Sequence, residues 1–141
     1  MDKRGIGYFF KIINDKLKVS VDADMKSHGI TLSQSRTLTY LKLRKGSATQ
    51  KELQDFLKVS HPTVVGIVSR LEQNGYVTTY IDRKDSRSKY VVLTDKASAI
   101  INDISETIRN NEKKMLQSLS EDDIEQLKKT LTAIYKNLNT W

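Results

Sequence analysis

Residues 60–93, SHPTVVGIVSRLEQNGYVTTYIDRKDSRSKYVVL, pass from helical to strand periodicity at a single glycine. Ser60 is a good N-cap, and Pro62 fits the first turn, where its missing N–H leaves no bond unmade. Val64, Ile67, Val68 and Leu71 recur at spacings of three and four, which marks one buried helical face. Asn74-Gly75 stops that helix. The opposite face carries His61, Thr63, Gly66, Ser69, Arg70 and Gln73, with no carboxylate until Glu72. Such a face suits insertion into a DNA major groove. Small residues permit close approach, hydroxyls and amides read base edges, and acids would repel phosphate. An ordinary solvated face more often carries Glu and Lys. Placement directly after a tight turn favours groove reading.

Beyond Gly75, Tyr76–Ile81 is rich in β-branched and aromatic residues and is predicted as a strand, with Lys89–Leu93 as its partner. The seven residues between them, Asp82–Ser88, are too many for a tight two-residue hairpin turn. Arg83, Lys84 and Arg87 put three cations at the tip. A hairpin so tipped suits the minor groove, whose negative potential attracts arginine.

On the N-terminal side, Lys58-Val59-Ser60 is a short turn. Thr49 is expected to cap the helix before it, with Glu52 closing a capping box and Leu53, Phe56 and Leu57 on the buried side. Arg44–Ser47 is a turn. Thr31-Leu32-Ser33 starts a helix that runs to about Leu43, with Leu38, Tyr40 and Leu41 as packing residues. The middle of the chain, residues 31–95, therefore reads as a winged helix-turn-helix lobe. The fold class is mainly α with a small β-hairpin wing (α+β).

Both ends read as amphipathic helices. Ile6, Phe9, Phe10, Ile13, Leu17, Val21 and Met25 form one stripe, stopped at His28-Gly29. Ile100, Ile101, Ile104, Ile108, Met115 and Leu119 form a second. Ser120, followed by three acids, starts the last helix, in which Ile124, Leu127, Leu131, Ile134, Leu138 and Trp141 alternate three and four residues. That is close to a heptad seam. Residues 1–30 and 96–141 are expected to form one dimerisation region intertwined with the central lobe. The alternative is an intramolecular three-helix bundle, which gives no reason for so long and regular a seam.

Charge supports the same division. The formal net charge of the 141 residues is +7. Residues 31–95 carry eleven basic and six acidic side chains, against six and four in residues 1–30 and seven and seven in residues 96–141. A basic folded centre between near-neutral helices suits a polyanion. Cysteine is absent, which excludes disulfides, thiol nucleophiles and Cys-containing zinc sites. His28 and His61 are far apart and have no carboxylate cluster at ligand spacing. No P-loop, GxGxxG or GxSxG pattern occurs. No metal site, no cofactor and no enzymatic activity are expected. No apolar run approaches the roughly 20 residues of a membrane span. Met1-Asp2-Lys3-Arg4 leads into a mixed helix and not into a secretory apolar segment, so a cytoplasmic protein without membrane association is expected.

The ordered set Thr49-Gln50-Lys51-Glu52-Leu53, then Ser60 through Val64, then Leu71-Glu72-Gln73-Asn74-Gly75-Tyr76-Val77, then Asp85-Ser86-Arg87 and Val92-Leu93-Thr94 resembles the MarR (multiple antibiotic resistance regulator) family. Each piece alone is weak, but the order is specific, and the flanking helices match the family layout. The resemblance implies a winged-helix homodimer that binds palindromic double-stranded DNA and usually responds to small aromatic or amphipathic ligands. By motif position, Asp85 and Arg87 correspond to the family's wing Asp and Arg, and Ser60–Arg70 to its recognition helix.

The resulting expectation is a repressor of palindromic promoter sites. Its DNA contacts would come from Ser60, His61, Pro62, Thr63, Gly66, Ser69 and Arg70 on the recognition helix and from Arg83, Lys84 and Arg87 on the wing. Asp85 would order the wing. Ser33, Thr49, Gln50 and Lys84 would hold phosphates. The family places effector pockets where the terminal helices meet the DNA-binding lobe, which makes Phe9, Ile13, Arg36 and Tyr40 the candidates there. The competing class is a winged-helix architectural or interaction module without ligand regulation.

Overall fold

Ser60 caps the helix that organises the lobe. In the computed structural model, which describes residues 3–140, its hydroxyl accepts from the Thr63 N–H at 3.3 Å. The described residues form six helices and three strands: α1 (Ile6–Ser27), α2 (Leu32–Leu43), β1 (Ser47–Thr49), α3 (Gln50–Leu57), α4 (His61–Gln73), β2 (Val77–Ile81), β3 (Lys89–Leu93), α5 (Ala97–Met115) and α6 (Glu121–Leu138). The fold is mainly α with a small β wing, as expected.

Local chemistry sets the element ends. Thr31 and Gln34 make a reciprocal capping box on α2, each donating its backbone N–H to the other's side chain at 3.1 Å. Thr49 Oγ1 accepts from the Glu52 N–H at 3.1 Å, but the box expected there is not closed. The Glu52 carboxylate instead takes Arg44 Nη2 at 2.9 Å, because a guanidinium across the turn is a stronger partner than one amide. Lys58 ends α3 in the left-handed conformation, φ 54°, which makes the turn into α4 tight. Gly75 does the same after α4 with φ 79°, where a side chain would be strained.

The sheet has three strands in the order β1-β3-β2, all antiparallel, where the sequence suggests a two-stranded hairpin. Ser47–Thr49, a turn and helix start by residue type, pairs instead with β3, Ser47 opposite Val92 and Thr49 opposite Tyr90. This satisfies the second edge of β3 before Thr49 caps α3. In β2, Val77 lies opposite Leu93 and Tyr80 opposite Tyr90, whose rings stack at 5.1 Å.

By compactness the chain divides into two units, ending and beginning at Ser105 and Glu106. The break falls inside α5. The first unit contains the whole buried core: Met25 and Ile30, Leu38 and Leu41, Ala48, Leu53 and Leu57, Val64, Val68 and Leu71, Val77, Val91, Ala97, Ile101 and Ile104. Each fully buried Leu or Ile there contributes about 1.5–3 kcal/mol. Of α1, only Met25 is buried, and Ile6, Phe10 and Ile13 are exposed. Phe56, expected in the core, is 39% exposed and stacks on Tyr40 at 4.3 Å.

The second unit comprises the end of α5 and α6. The stripe expected to reach Leu119 ends as helix at Met115, and Leu119 lies in the connecting turn. Ser120 and Asp123 form a capping box, with Glu121 and Asp122 also favourable at the positive end of α6. No residue of α6 is buried, and Leu127, Leu131 and Leu138 are exposed along the seam. Trp141, the last member of the expected seam, lies outside the described residues. No helix among the described residues is long and apolar enough to cross a membrane.

Candidate nucleic-acid interface

The α4 helix buries Val64, Val68 and Leu71, which turns His61, Pro62, Thr63, Gly66, Ser69, Arg70 and Gln73 to the exposed side. Its first turn carries no acid. The N-terminal N–H groups and helix dipole thus leave a positive end next to His61. Ser60 Oγ and Thr63 Oγ1 lie 2.9 Å apart, so the cap also orients the Thr63 hydroxyl. The single carboxylate of α4, on Glu72, accepts from Thr79 Oγ1 of β2 at 2.7 Å. That bond holds the acid to the wing strand.

Three grooves border this helix. One, of about 500 Å³, is lined by Thr31, Ser33 and Gln34 of the α2 start and by Thr63, Gly66, Ile67 and Arg70. A second, of about 460 Å³, continues along Lys26, Gly29, Ile30, Thr31, Gln34, Arg70, Gln73 and Asn74. The third, of about 300 Å³, brings Thr49, Gln50, Lys51 and Gln54 together with His61 and with Arg87, Ser88 and Lys89 at the wing root. Ser33, Thr63, Gly66 and Arg70 therefore share one groove, and Thr49, Gln50, His61 and Arg87 another. Gln50 is not presented as expected. It is 8% exposed, and its Oε1 is buried without a hydrogen-bond partner, because the first turn of α3 folds against β1 and β3.

The wing loop is ordered by its own acids. Asp85 Oδ1 accepts from the Arg87 N–H at 3.1 Å, and its Oδ2 accepts from Ser88 Oγ at 2.9 Å. Asp82 Oδ1 accepts from the Lys84 N–H at 2.9 Å, and the Asp82 N–H donates to the Ser88 carbonyl at 3.1 Å. Arg83, Lys84 and Arg87 remain exposed on this framework. Two Asx turns thus shape the loop that carries these cations at the end of the hairpin.

The four candidate effector residues do not line any of these grooves. Arg36 lies 5.4 Å over the Phe56 ring, on which Tyr40 stacks. Phe9 meets Tyr8 edge to face at 5.9 Å and Arg4 at 5.8 Å, and Ile13 is exposed on α1. Sequence reasoning missed Lys51 and Lys89 at the wing-root groove. It also missed Val65, which is exposed on α4 one position past the buried Val64. For Val65, a strict helical wheel would have supplied the signal.

Known proteins carry the same features. A family model described as the MarR family matches residues 28–88, from the end of α1 to the wing. An uncharacterized HTH-type transcriptional regulator of Bacillus subtilis (strain 168), YwoH, is 36% identical over 80 residues. That match covers 57% of this chain and 58% of the relative, so it spans little more than half of that protein. The crystal structure of MepR, described as a transcription regulator of the Staphylococcus aureus multidrug efflux pump MepA, is similar with a TM-score of 0.82 at 26% identity, over 96% of this chain and 99% of that one. The S. aureus MepR–DNA complex gives 0.80 at 26% identity over the same shares. Wild-type MarR from E. coli in its apo form gives 0.81 at 20% identity, over 95% and 98%, a likeness of fold. The motif order, the three-stranded winged lobe and the flanking helices agree with these matches, and residues 28–88 carry the MarR-family lobe.

Proposed function

We propose that this chain is a cytoplasmic, dimeric DNA-binding transcriptional regulator that represses from palindromic promoter sites and is released by a small ligand. The observation that carries the DNA reading is the exposed face of α4. It is acid-free in its first turn and is bordered by grooves whose cations come from α3, α4 and the wing. A solved complex of the similar MepR with DNA supports it. One α4 per subunit enters successive major grooves, and Arg83, Lys84 and Arg87 reach the flanking minor grooves. Ser60, His61, Pro62, Thr63, Gly66, Ser69 and Arg70 face the bases and the nearest phosphates, with Ser33, Thr49 and Lys84 on the backbone. Gln50 acts from within the wing-root groove.

The dimer reading rests on α6, an 18-residue helix with an apolar seam and no buried residue in the single chain. An exposed seam of that length is a liability unless a second copy covers it. The effector would bind near Phe9, Ile13, Arg36 and Tyr40 and must prefer the DNA-incompetent spacing of the two lobes, since equal affinity for both states shifts nothing.

The test is selection of bound fragments from genomic DNA, followed by competition with bulk genomic DNA. A sequence-specific regulator keeps its complex on the selected fragment, and an architectural module loses it. Light scattering on the same preparation should give the mass of two chains.

A further inference from the structure

Two adjacent residues of α4 have no explanation inside the chain. Val65 is the large apolar side chain of α4 left exposed, at 37%, while Val64 beside it is fully buried. Gly66 follows in the middle of the helix. A Cβ built on Gly66 would meet no heavy atom within 4 Å, and its backbone is not left-handed, so neither packing nor conformation requires glycine there. Both are poorer helix formers than alanine, the first through its branched Cβ and the second through backbone entropy. The fold would gain from replacing either. The row His61, Val65, Ser69 runs along the exposed side at four-residue spacing, beside the groove that Gly66 shares with Thr63 and Arg70.

An exposed apolar knob next to an empty notch, on a polar and cationic face, suits a partner surface that is polar except for one methyl-sized group. In the DNA major groove that group is the C5-methyl of thymine. We infer that Val65 packs on a thymine methyl in each half-site, and that Gly66 supplies the clearance for the strand to come close enough. This rests on the DNA-binding reading and adds one specified base to it.

The experiment selects a preferred duplex from a random-sequence library with the full-length protein. Each thymine of the half-site is then replaced by uracil, which removes the methyl and keeps the pairing edge. Wild type should lose roughly fourfold in affinity at one position per half-site, the worth of one buried methyl-sized group. The Val65→Ala variant should bind thymine and uracil duplexes equally at that position. Gly66→Ala should melt at the same temperature as wild type or higher, yet bind the selected duplex roughly tenfold more weakly, as for an overpacked contact. Uracil tolerated at every position, or a uracil penalty that persists in Val65→Ala, overturns the thymine contact. Normal binding by Gly66→Ala overturns the clearance. Failure to select any duplex overturns the DNA reading itself, and this inference with it.

Discussion

Lys96 Nζ donates to the carbonyl oxygen of Asn74 at 2.6 Å, so a cation just ahead of α5 closes the C-terminal end of α4. The same ammonium lies 5.2 Å from the Tyr76 ring centre. Thr94 Oγ1 donates to the Gly75 carbonyl at 2.6 Å, and the Thr94 N–H donates to the Tyr76 carbonyl at 3.0 Å. The carbonyls of Asn74, Gly75 and Tyr76, which follow α4, are thus met from the segment that leads into α5.

Removing these donors should loosen the end of α4. Lys96→Met is expected to cost about 0.5–1 kcal/mol, mostly lost charge at a helix end and screened by salt. Thr94→Val should cost about 1 kcal/mol, because the Gly75 carbonyl is partly buried. Urea unfolding at low and high salt checks both. A Lys96→Met loss that does not shrink with salt would show that the ammonium does not act through its charge.

The exposed seam of α6 makes a separate prediction. Leu131→Asp changes a residue that is 40% exposed in the single chain, so the first unit should keep its fold. The proposed dimer should dissociate, because a carboxylate would then be buried in its apolar interface. Light scattering should read one chain's mass, while near-ultraviolet circular dichroism of the lobe persists. Deleting Ile124–Trp141 should act in the same direction and leave little DNA binding. A truncated protein that stays dimeric would place the interface elsewhere.

The wing and the recognition helix should fail differently. Arg87→Ala should weaken specific and random duplexes alike and, if the guanidinium also meets backbone beside the minor groove, reduce the salt slope by roughly 0.9 per phosphate contact. Thr63→Ala or His61→Ala should narrow the gap between specific and random DNA with the salt slope nearly kept. Titrations at several salt concentrations separate the two.

Asp85→Ala removes two acceptors, for the Arg87 N–H and for Ser88 Oγ. The loop is exposed, so the melting temperature should change little. DNA affinity should fall because the cations must be ordered on binding. Equal losses in melting temperature and affinity would make Asp85 a general fold residue.

Induction should follow organic ligands and not oxidants, since the chain has no cysteine to form a sulfenic acid or disulfide. Phenolic acids and cationic amphiphiles should be tried for release of the selected duplex, with peroxide as the contrast. Arg36→Ala should blunt the response to carboxylates. Release by peroxide that leaves methionine intact, with no response to the panel, would defeat the model.

The legible parts of the chain are those with strong local chemistry. Ser60, Pro62 and Gly75 bracket α4, the β-branched run marks β2, and Ser120 with its acids starts α6. What escapes depends on distant neighbours. Ser47-Ala48-Thr49 has weak strand character and pairs because β3 has a second edge to fill. Phe56 looks like core by periodicity, yet Tyr40 and Arg36 meet it at the surface. Gln50 looks solvent-facing by type but is drawn inward with the start of α3. The exposure of the residues proposed to face DNA is largely readable because they lie on one helix and one loop. The effector candidates are not, because Phe9 and Ile13 are far from Arg36 and Tyr40 in sequence and only tertiary packing could bring the two pairs together.

The helix that buries nothing of its own also has a consequence for dosage. If two chains must meet before either can grip a palindrome, the active species at low abundance rises as the square of the number of chains. Halving the protein, as at each cell division without resynthesis, would then leave a quarter of the assembled form. The seam from Ile124 to Leu138 would thereby make escape from repression steeper than the dilution that causes it.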